Sequence, residues 1–510
     1  MKRIKFFSQK LKKQKYLWLF FYFLAVFFPG LIAIKILRDG SFPFWYDPAR
    51  DLLLGLDNHS KISLIGPPSG IPGIFYGPYW IWILSLALFI SKDPRIIIFL
   101  VLVIPYFIGI PFILFKLSKY FVKLSILSGW IFFVFSFGIG YSTSAWNPHL
   151  APVLLVFMLY FFLTTERVHP KKSDYLRCLI LGGLLGLILN FHISLGIGLL
   201  VGICFYAVIQ FIRYYQMEKS FFSYCKKNAL FLICFFTGLF IVFIPFFIFE
   251  LRHDFQQVQT ILRTLSAKGS VVNVTGLSDE AILFEFAKRL ASFLFLPLPV
   301  AGAVMLFYVC LLIIKIREFT EKERSLLTLL VFLIIGIIAV YLSSKNPVWD
   351  YHLRGTEIIF LFFLLLMGKF SAIRYSFFLW AIIVVVINVF GFIQSLSQNP
   401  LLLPGFASKA KAAQLIIDDA QDKEYVVFAY NESIYTYEYT YLFKWLANKN
   451  IPFDPGNNPK NMDLVYLIIP PIKYELQEDF INFRTQNEIY KTTSTWKMPD
   501  GTFILRREHK

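Results

Sequence analysis

The sequence predicts a mostly α, polytopic membrane protein of about eleven spans with interfacial helices, carrying a small C-terminal α/β domain. Three observations predict it. Of its 510 residues 57% are hydrophobic and the mean hydropathy is +0.62, too apolar for a single soluble core. Long apolar runs recur from Tyr16 to Gln394, separated by short loops in which Lys and Arg cluster. Beyond about residue 396 the long runs cease, and short helix-like and strand-like patterns alternate instead. The chain therefore divides into a membrane domain, 1–395, and a tail domain, 396–510.

Charge and cysteine usage narrow the class. The formal net charge of +18 would suit a nucleic-acid partner if it lay on one solvated face, but it is scattered between apolar runs and reads as a topology signal. No nucleic acid is expected. Five cysteines, Cys178, Cys204, Cys225, Cys234 and Cys310, show neither paired nor metal-ligand spacing. The chain also lacks a phosphate-cradling GxxxxGK[ST] and an HExxH, so neither a metal nor a cofactor is expected.

Taken in order, the first run, Tyr16 to about Leu37, follows seven lysines and arginines and is too long for a cleaved signal. It reads as a retained anchor with a cytoplasmic N-terminus. Twelve apolar runs follow by hydropathy alone, including this one. If all twelve crossed, the basic clusters at Lys116–Lys123, Arg167–Arg177 and Arg213–Lys227 would fall outside, against the positive-inside rule. Laying the run 74–91 along the outer interface places those clusters in the cytoplasm, together with Lys315–Arg324 and Lys369–Arg374. Tyr76, Tyr79, Trp80 and Trp82 at its start are the aromatic types found at headgroup level. Eleven spans remain, with external segments at 38–95, 142–147, 191–192, 250–291 and 344–355 and an external tail. The pair 178–190 and 193–212, hinged at Asn190 and His192, looks short for two crossings. In the tail, SKAKAAQLIIDDA and YTYEYTYLFKWLAN read as helices, and EYVVFAY, DLVYLIIP and TFILRRE as strands.

The polar residues of interest gather in the external segments. WYDPARD places Asp47 ten residues past the first span and Asp51 four further on, so on an interfacial helix both carboxylates share a face with Arg50 beside them. The same loop continues into GPPSGIPGIFYGP, Gly66 to Pro78, whose prolines and glycines call for a shaped loop leading into the interfacial segment. His192 in LNFHISL reads as a satisfied polar residue that caps a turn.

A cytoplasmic anchor, a first external loop with an early aspartate, a Pro/Gly stretch before an aromatic interfacial helix and an arginine opening the next span together resemble the C-class, polyprenyl-phosphate-sugar-dependent glycosyltransferases. The nearest likeness is to glycosyltransferase family 39, the protein O-mannosyltransferases and aminoarabinose transferases. By architecture it covers roughly Tyr16 to Gln394, and by motif mainly Trp45 to Arg95. In that family an essential aspartate is followed by a glutamate; Asp47 matches, but Pro48 follows it, which leaves Asp51 as the candidate second carboxylate. Arg95 in KDPRIII matches the family's arginine. Asn147 and His149 in SAWNPHL occupy the second external loop, and SKNPVWDYHLRG offers Lys345, Tyr351, His352 and Arg354 for a lipid phosphate.

The resemblance implies transfer of a sugar from a polyprenyl-phosphate donor to an acceptor hydroxyl of a lipid, protein or glycan on the outer face of the cytoplasmic membrane. Asp47, with Asp51, would be catalytic. Arg50, Arg95, Asn147, Lys345, Tyr351, His352 and Arg354 would meet the substrate. The alternative, a flippase for a lipid-linked sugar, needs a polar path through spans that are almost purely apolar.

Overall fold

A computed structural model describes residues 2–70, 72–166, 170–218, 221–266, 277–345, 347–430, 436–447 and 462–510. Ten helices among them are long and apolar enough to cross a membrane, and this is a multi-pass membrane protein. They run from Tyr16–Asp39 through Pro94–Leu117, Lys123–Ser142, Asn147–Thr164, Lys172–Phe191, Ile193–Gln216, Asn228–Arg252, Leu298–Glu318 and Glu321–Ser344 to Ser371–Ser397.

The pair that looked short resolves into two full-length helices, Lys172–Phe191 and Ile193–Gln216, because both continue past their apolar runs into the basic loops. The expected span at 356–368 is instead a 12-residue helix, Thr356–Met367, about 18 Å long at 1.5 Å per residue. Gly355, in a left-handed conformation, starts it late, and Gly368 ends it. The segment ahead of it, through the turn Asp350–Leu353, is spent on polar contacts.

The run 74–91 also yields a short helix, Tyr79–Ile90, of 12 residues. Trp80, Ile81 and Leu84 are buried while Leu86, Phe89 and Ile90 are exposed, so one flank packs inward and the other faces outward. The Pro/Gly loop before it folds back on itself, with Gly66 N–H donating to Tyr76 O (2.8 Å), Tyr76 N–H to Pro67 O (2.9 Å) and Ser69 N–H to Ile74 O (2.8 Å). Gly77 is required here. A Cβ at that position would stand 1.3 Å from Asn190 Oδ1, so only glycine lets the loop close on the helix Lys172–Phe191.

Side chains of the membrane domain lock helices through backbone carbonyls. Tyr22 donates to Pro111 O (2.6 Å) and Trp130 to Ala25 O (2.9 Å), which tie the first helix to its neighbours. Tyr106, fully buried, donates to His149 O (2.7 Å) and so fixes the start of the helix Asn147–Thr164.

The tail forms a four-stranded sheet: β1 (Val426–Ala429), β2 (Leu464–Ile469), β3 (Tyr490–Lys497) and β4 (Phe503–His509), in the order β1-β2-β4-β3. β1 and β2 are parallel, and β2–β4 and β4–β3 antiparallel. The helices Phe406–Ala420 and Tyr437–Leu446 fall where the patterns put them. The helix Tyr474–Arg484 and the strand β3 carry no such pattern: β3, KTTSTWK after its first tyrosine, is a largely exposed edge strand with little apolar face.

Topology is tested by labelling. If the N-terminus is cytoplasmic, as the placement of Lys and Arg predicts, then in a background lacking the five native cysteines a cysteine at exposed Lys61 should react with an impermeant maleimide in intact cells and a cysteine at exposed Lys119 should not. The reverse pattern would invert the arrangement.

Candidate active site

The helix Tyr46–Asp57 begins one residue after Trp45 and brings the WYDPARD charges together. Arg50 lies between the two carboxylates: Nη1 is 2.8 Å from Asp47 Oδ1, while Nε and Nη2 donate to Asp51 Oδ1 at 2.9 and 2.7 Å. Asp51 Oδ2 accepts from the Trp80 indole at 2.9 Å. The two acids therefore differ in kind. Asp51 has no exposed side-chain surface and both oxygens engaged, whereas the Asp47 side chain is 30% exposed.

Burial pushes the Asp51 carboxyl up to about 6 against the pull of Arg50, so it stays ionised at neutral pH. Burial also works against the Arg50 cation, but Asp51 and Asp47 on either side raise it above its ordinary value. Asp51 anchors the guanidinium, and the guanidinium presents Asp47. The Tyr46 ring lies 5.5 Å from Arg50 Cζ and closes another side.

Two tyrosines from distant segments complete this half. Burial pushes the Tyr76 hydroxyl up to about 12, with the charges of Tyr351 and Asp47 adding to it. Tyr351, also raised by burial, is raised further by Asp47. Both hydroxyls therefore lie within electrostatic range of the partly exposed Asp47 carboxylate. The turn carrying Tyr351 is held by His192, whose Nε2–H donates to Tyr351 O (2.9 Å) while Nδ1 accepts from Ser194 (3.2 Å). Burial drives His192 down to about 3, so it is neutral, as a capping residue should be. His352, driven down to about 4 by burial, packs edge-on to Tyr351 at 4.2 Å.

The second half is built around Arg354. Its guanidinium lies 4.6 Å from the Trp146 ring and 5.3 Å from the Tyr141 ring, and Nη1 donates to His149 Nε2. His149 Nδ1–H donates to Ser144 O (2.7 Å), which leaves Nε2 as the acceptor. The nearby acid, Glu357, is engaged by the Tyr141 hydroxyl (2.6 Å) and the Gly355 N–H. Among the described residues no carboxylate reaches Arg354 as an ion-pair partner, and burial lowers its pKa. Arg354, Tyr141 and Glu357 also line a cavity of about 450 Å³, walled by Phe137, Phe286, Phe293, Ile334 and Ile337.

Aromatic contacts join the halves. Trp146 packs on Trp45 (ring centres 5.7 Å) and on Tyr351 (5.2 Å), so the residue before Tyr46 touches the platform under Arg354. Asn147 fixes this corner by donating to Phe191 O (2.8 Å). Asp47, Arg50, Asp51, Asn147, Tyr351, His352 and Arg354 thus share one end of the helix bundle. Lys345 and Arg95 have partners of their own. Lys345 pairs with Asp279, and Arg95 pairs with Asp93 and lies over Phe406 and Trp445 of the tail. Tyr141, Glu357 and Arg289, which pairs with Asp350 at the cavity wall, were not picked out from sequence. Glu357, a lone acid opening an apolar run, is the kind of signal that points to such a site.

No protein-family model and no curated protein matches the chain. Among solved structures, ArnT from Cupriavidus metallidurans bound to undecaprenyl phosphate superposes over 94% of this chain and 96% of its own, with a TM-score of 0.52 at 11% identity. The apo state of that protein covers 93% and 96%, with a TM-score of 0.51 at 10% identity. Archaeal oligosaccharyltransferase AglB from Archaeoglobus fulgidus, in complex with an inhibitory peptide and a dolichol-phosphate, is a looser likeness: 96% of this chain and 74% of its own, 14% identity and a TM-score of 0.45. The likeness to ArnT shows the fold alone, that of a polytopic helical membrane protein. Its particular form is that of ArnT, matched along nearly the whole of both chains.

Replacing Trp80 by Phe removes the indole donor from Asp51 and leaves a buried carboxylate oxygen short of a bond, a loss of about 1–3 kcal/mol measurable by thermal unfolding in detergent. The pH response is also defined. Asp51 binds its proton more tightly folded (about 6) than at its ordinary value of 3.8, so it adds stability as pH falls through about 6. The Trp80 bond lowers that value, so in Trp80→Phe the gain begins at higher pH. Identical melting temperatures and pH profiles would contradict this assignment.

Proposed function

We propose that this protein is a membrane glycosyltransferase that moves a sugar from a polyprenyl-phosphate donor to an acceptor hydroxyl. The observation that carries the reading is Arg354, a part-buried cation with no carboxylate paired to it among the described residues, in the wall of an apolar cavity and joined through Trp146 and Trp45 to the segment bearing Asp47. A phosphate on a hydrocarbon tail, a diester in the donor and a monoester once the sugar has left, satisfies both features at once. Its oxyanion supplies the counter-charge, and its first isoprene units suit a cavity lined by phenylalanine and isoleucine.

In the proposed step the acceptor hydroxyl attacks the anomeric carbon and gives its proton to Asp47. The bond from that carbon to the lipid phosphate breaks, and its electron pair leaves on the phosphate oxygen. Arg354 stabilises the charge that collects there, in surroundings where water is scarce. Asp51 acts through Arg50, and Tyr351 and Tyr76 border the space between. Lys345 and Arg95, already paired, have less to offer a phosphate than Arg354. The reading extends to orientation: the N-terminus is cytoplasmic, and the site and tail face outward.

The test is transfer of labelled sugar from purified polyprenyl-phosphate donors to membrane extract. Asp47→Asn, nearly isosteric but unable to take the proton, should lower transfer by roughly 10²-fold or more while donor still binds. Full activity in that variant would remove Asp47 as base. Arg354→Ala should weaken donor use more than Arg354→Lys, which keeps the charge and loses only the planar fork. Donor use in Arg354→Ala equal to wild type would place the phosphate elsewhere. Sugar that crosses a bilayer without ever changing its covalent partner would instead mark a flippase.

A further inference from the structure

The backbone just ahead of Asp47 is held by the tail. Three alternate carbonyls of the segment Gly40–Phe44 accept from one stretch of the tail: Gly40 O from Ala407 N–H (3.1 Å), Phe42 O from Phe406 N–H (3.1 Å) and Phe44 O from Lys409 Nζ (2.8 Å). The three bonds fall on alternate residues of a turn and bend, so the connection between the first helix and the helix Tyr46–Asp57 is held at three points. Gly40 (φ +72°) turns the chain off the first helix into this position, and Phe42 stacks on Phe406 at 4.7 Å.

Lys409 is the one side chain among those three donors. Its ammonium also pairs with Glu438 (3.0 Å), which is itself buried in the helix Tyr437–Leu446. The first residue of that helix, Tyr437, packs on Tyr46 with ring centres 4.9 Å apart, and the opposite side of the contact is Arg50, 5.5 Å from the Tyr46 ring. A chain of direct contacts thus leads from Lys409 to Phe44 and Glu438, and from Tyr437 through Tyr46 to Arg50 and Asp47. Tyr441 of the same helix donates to Lys92 O (2.6 Å), which fixes the far side of the same external loop.

We infer that the C-terminal domain is a structural part of the active site, and that Lys409 is a positioning residue: by bridging Phe44 O and Glu438 it sets where the Asp47 carboxylate stands. The inference rests on the proposed glycosyl transfer for its kinetic readout but not for its structural one. It also gives the tail a task. A segment three residues from the base would otherwise be irregular backbone between the first helix and the helix Tyr46–Asp57, free to shift by the ångström or so that costs transfer its alignment.

Removing Lys409 alone would leave Glu438 buried without its partner, so the test uses the double variant Lys409→Met/Glu438→Gln beside Lys409→Arg in the full chain. Labelled-sugar transfer is measured over a range of polyprenyl-phosphate donor concentrations, with amide hydrogen exchange followed across Phe44–Asp51. The double variant should lose about 10- to 100-fold in kcat with KM for the donor within about twofold. Its amides at Trp45–Asp51 should exchange faster while those of the Arg354 corner stay as in wild type. Lys409→Arg, which can still reach both acceptors, should recover most of kcat. A double variant with wild-type kcat overturns the inference, as does a loss that appears only in KM. Should wild type transfer no sugar from any donor, the glycosyltransferase reading fails, and hydrogen exchange alone decides: unchanged protection of Trp45–Asp51 overturns the positioning role.

Discussion

A guanidinium withdrawn from water is costly unless an anion meets it, and this structure holds two, the buried Arg50 and the part-buried Arg354, that are met differently. Arg50 has a carboxylate on either side, one enclosed and one partly exposed. Arg354 has two aromatic faces and a neutral imidazole, but no carboxylate ion-pair partner among the described residues. Withdrawing a cation from water without a paired anion is costly, so a site of this kind is poised for an anion that comes from outside the chain. The rest of the architecture serves to hold these two charges a short aromatic bridge apart, with Trp45 and Trp146 as the span.

Rigid helices bring the parts together, but loops supply the chemistry. Asp47 comes from the first turn of the short helix after the first span, Trp146 and His149 from the corner that opens Asn147–Thr164, His192 from the break between two helices and Arg354 from the turn before Thr356–Met367. Each corner is pinned by a side chain bonded to a backbone carbonyl elsewhere: Asn147 to Phe191, Tyr106 to His149, His192 to Tyr351. Such bonds are worth about 1 kcal/mol each in stability, yet they determine where a charged group stands to within a fraction of an ångström. The tail adds the last restraint through Gly40, Phe42 and Phe44.

Much of this was legible in the sequence, because hydropathy and the placement of Lys and Arg are properties of local segments. The first long apolar helix, the short helix at Tyr79–Ile90 and the helices Phe406–Ala420 and Tyr437–Leu446 all follow from local pattern. So does the gathering of polar residues into the segments between helices. The pairing inside WYDPARD follows from helical spacing, but which aspartate is enclosed does not, since that depends on Trp80, 29 positions away. The environment of Arg354 draws on Tyr141, His149 and Glu357, and the restraint on Phe44 comes from Lys409, 365 residues on. Contacts at that range leave no periodic trace in one sequence. The short helix Thr356–Met367 was likewise hidden, because hydropathy counts apolar residues and not the left-handed glycine that delays its start.

The most direct measurement is a cryo-EM structure of the protein with a polyprenyl phosphate bound in nanodiscs. The account predicts the phosphate within hydrogen-bonding distance of the Arg354 guanidinium, the first isoprene units in the cavity between Phe137, Phe286 and Phe293, and the Asp47 carboxylate facing the phosphate across the Trp45–Trp146 contact. A phosphate bound among the loop lysines at the opposite end of the helices, with Arg354 untouched, would contradict it.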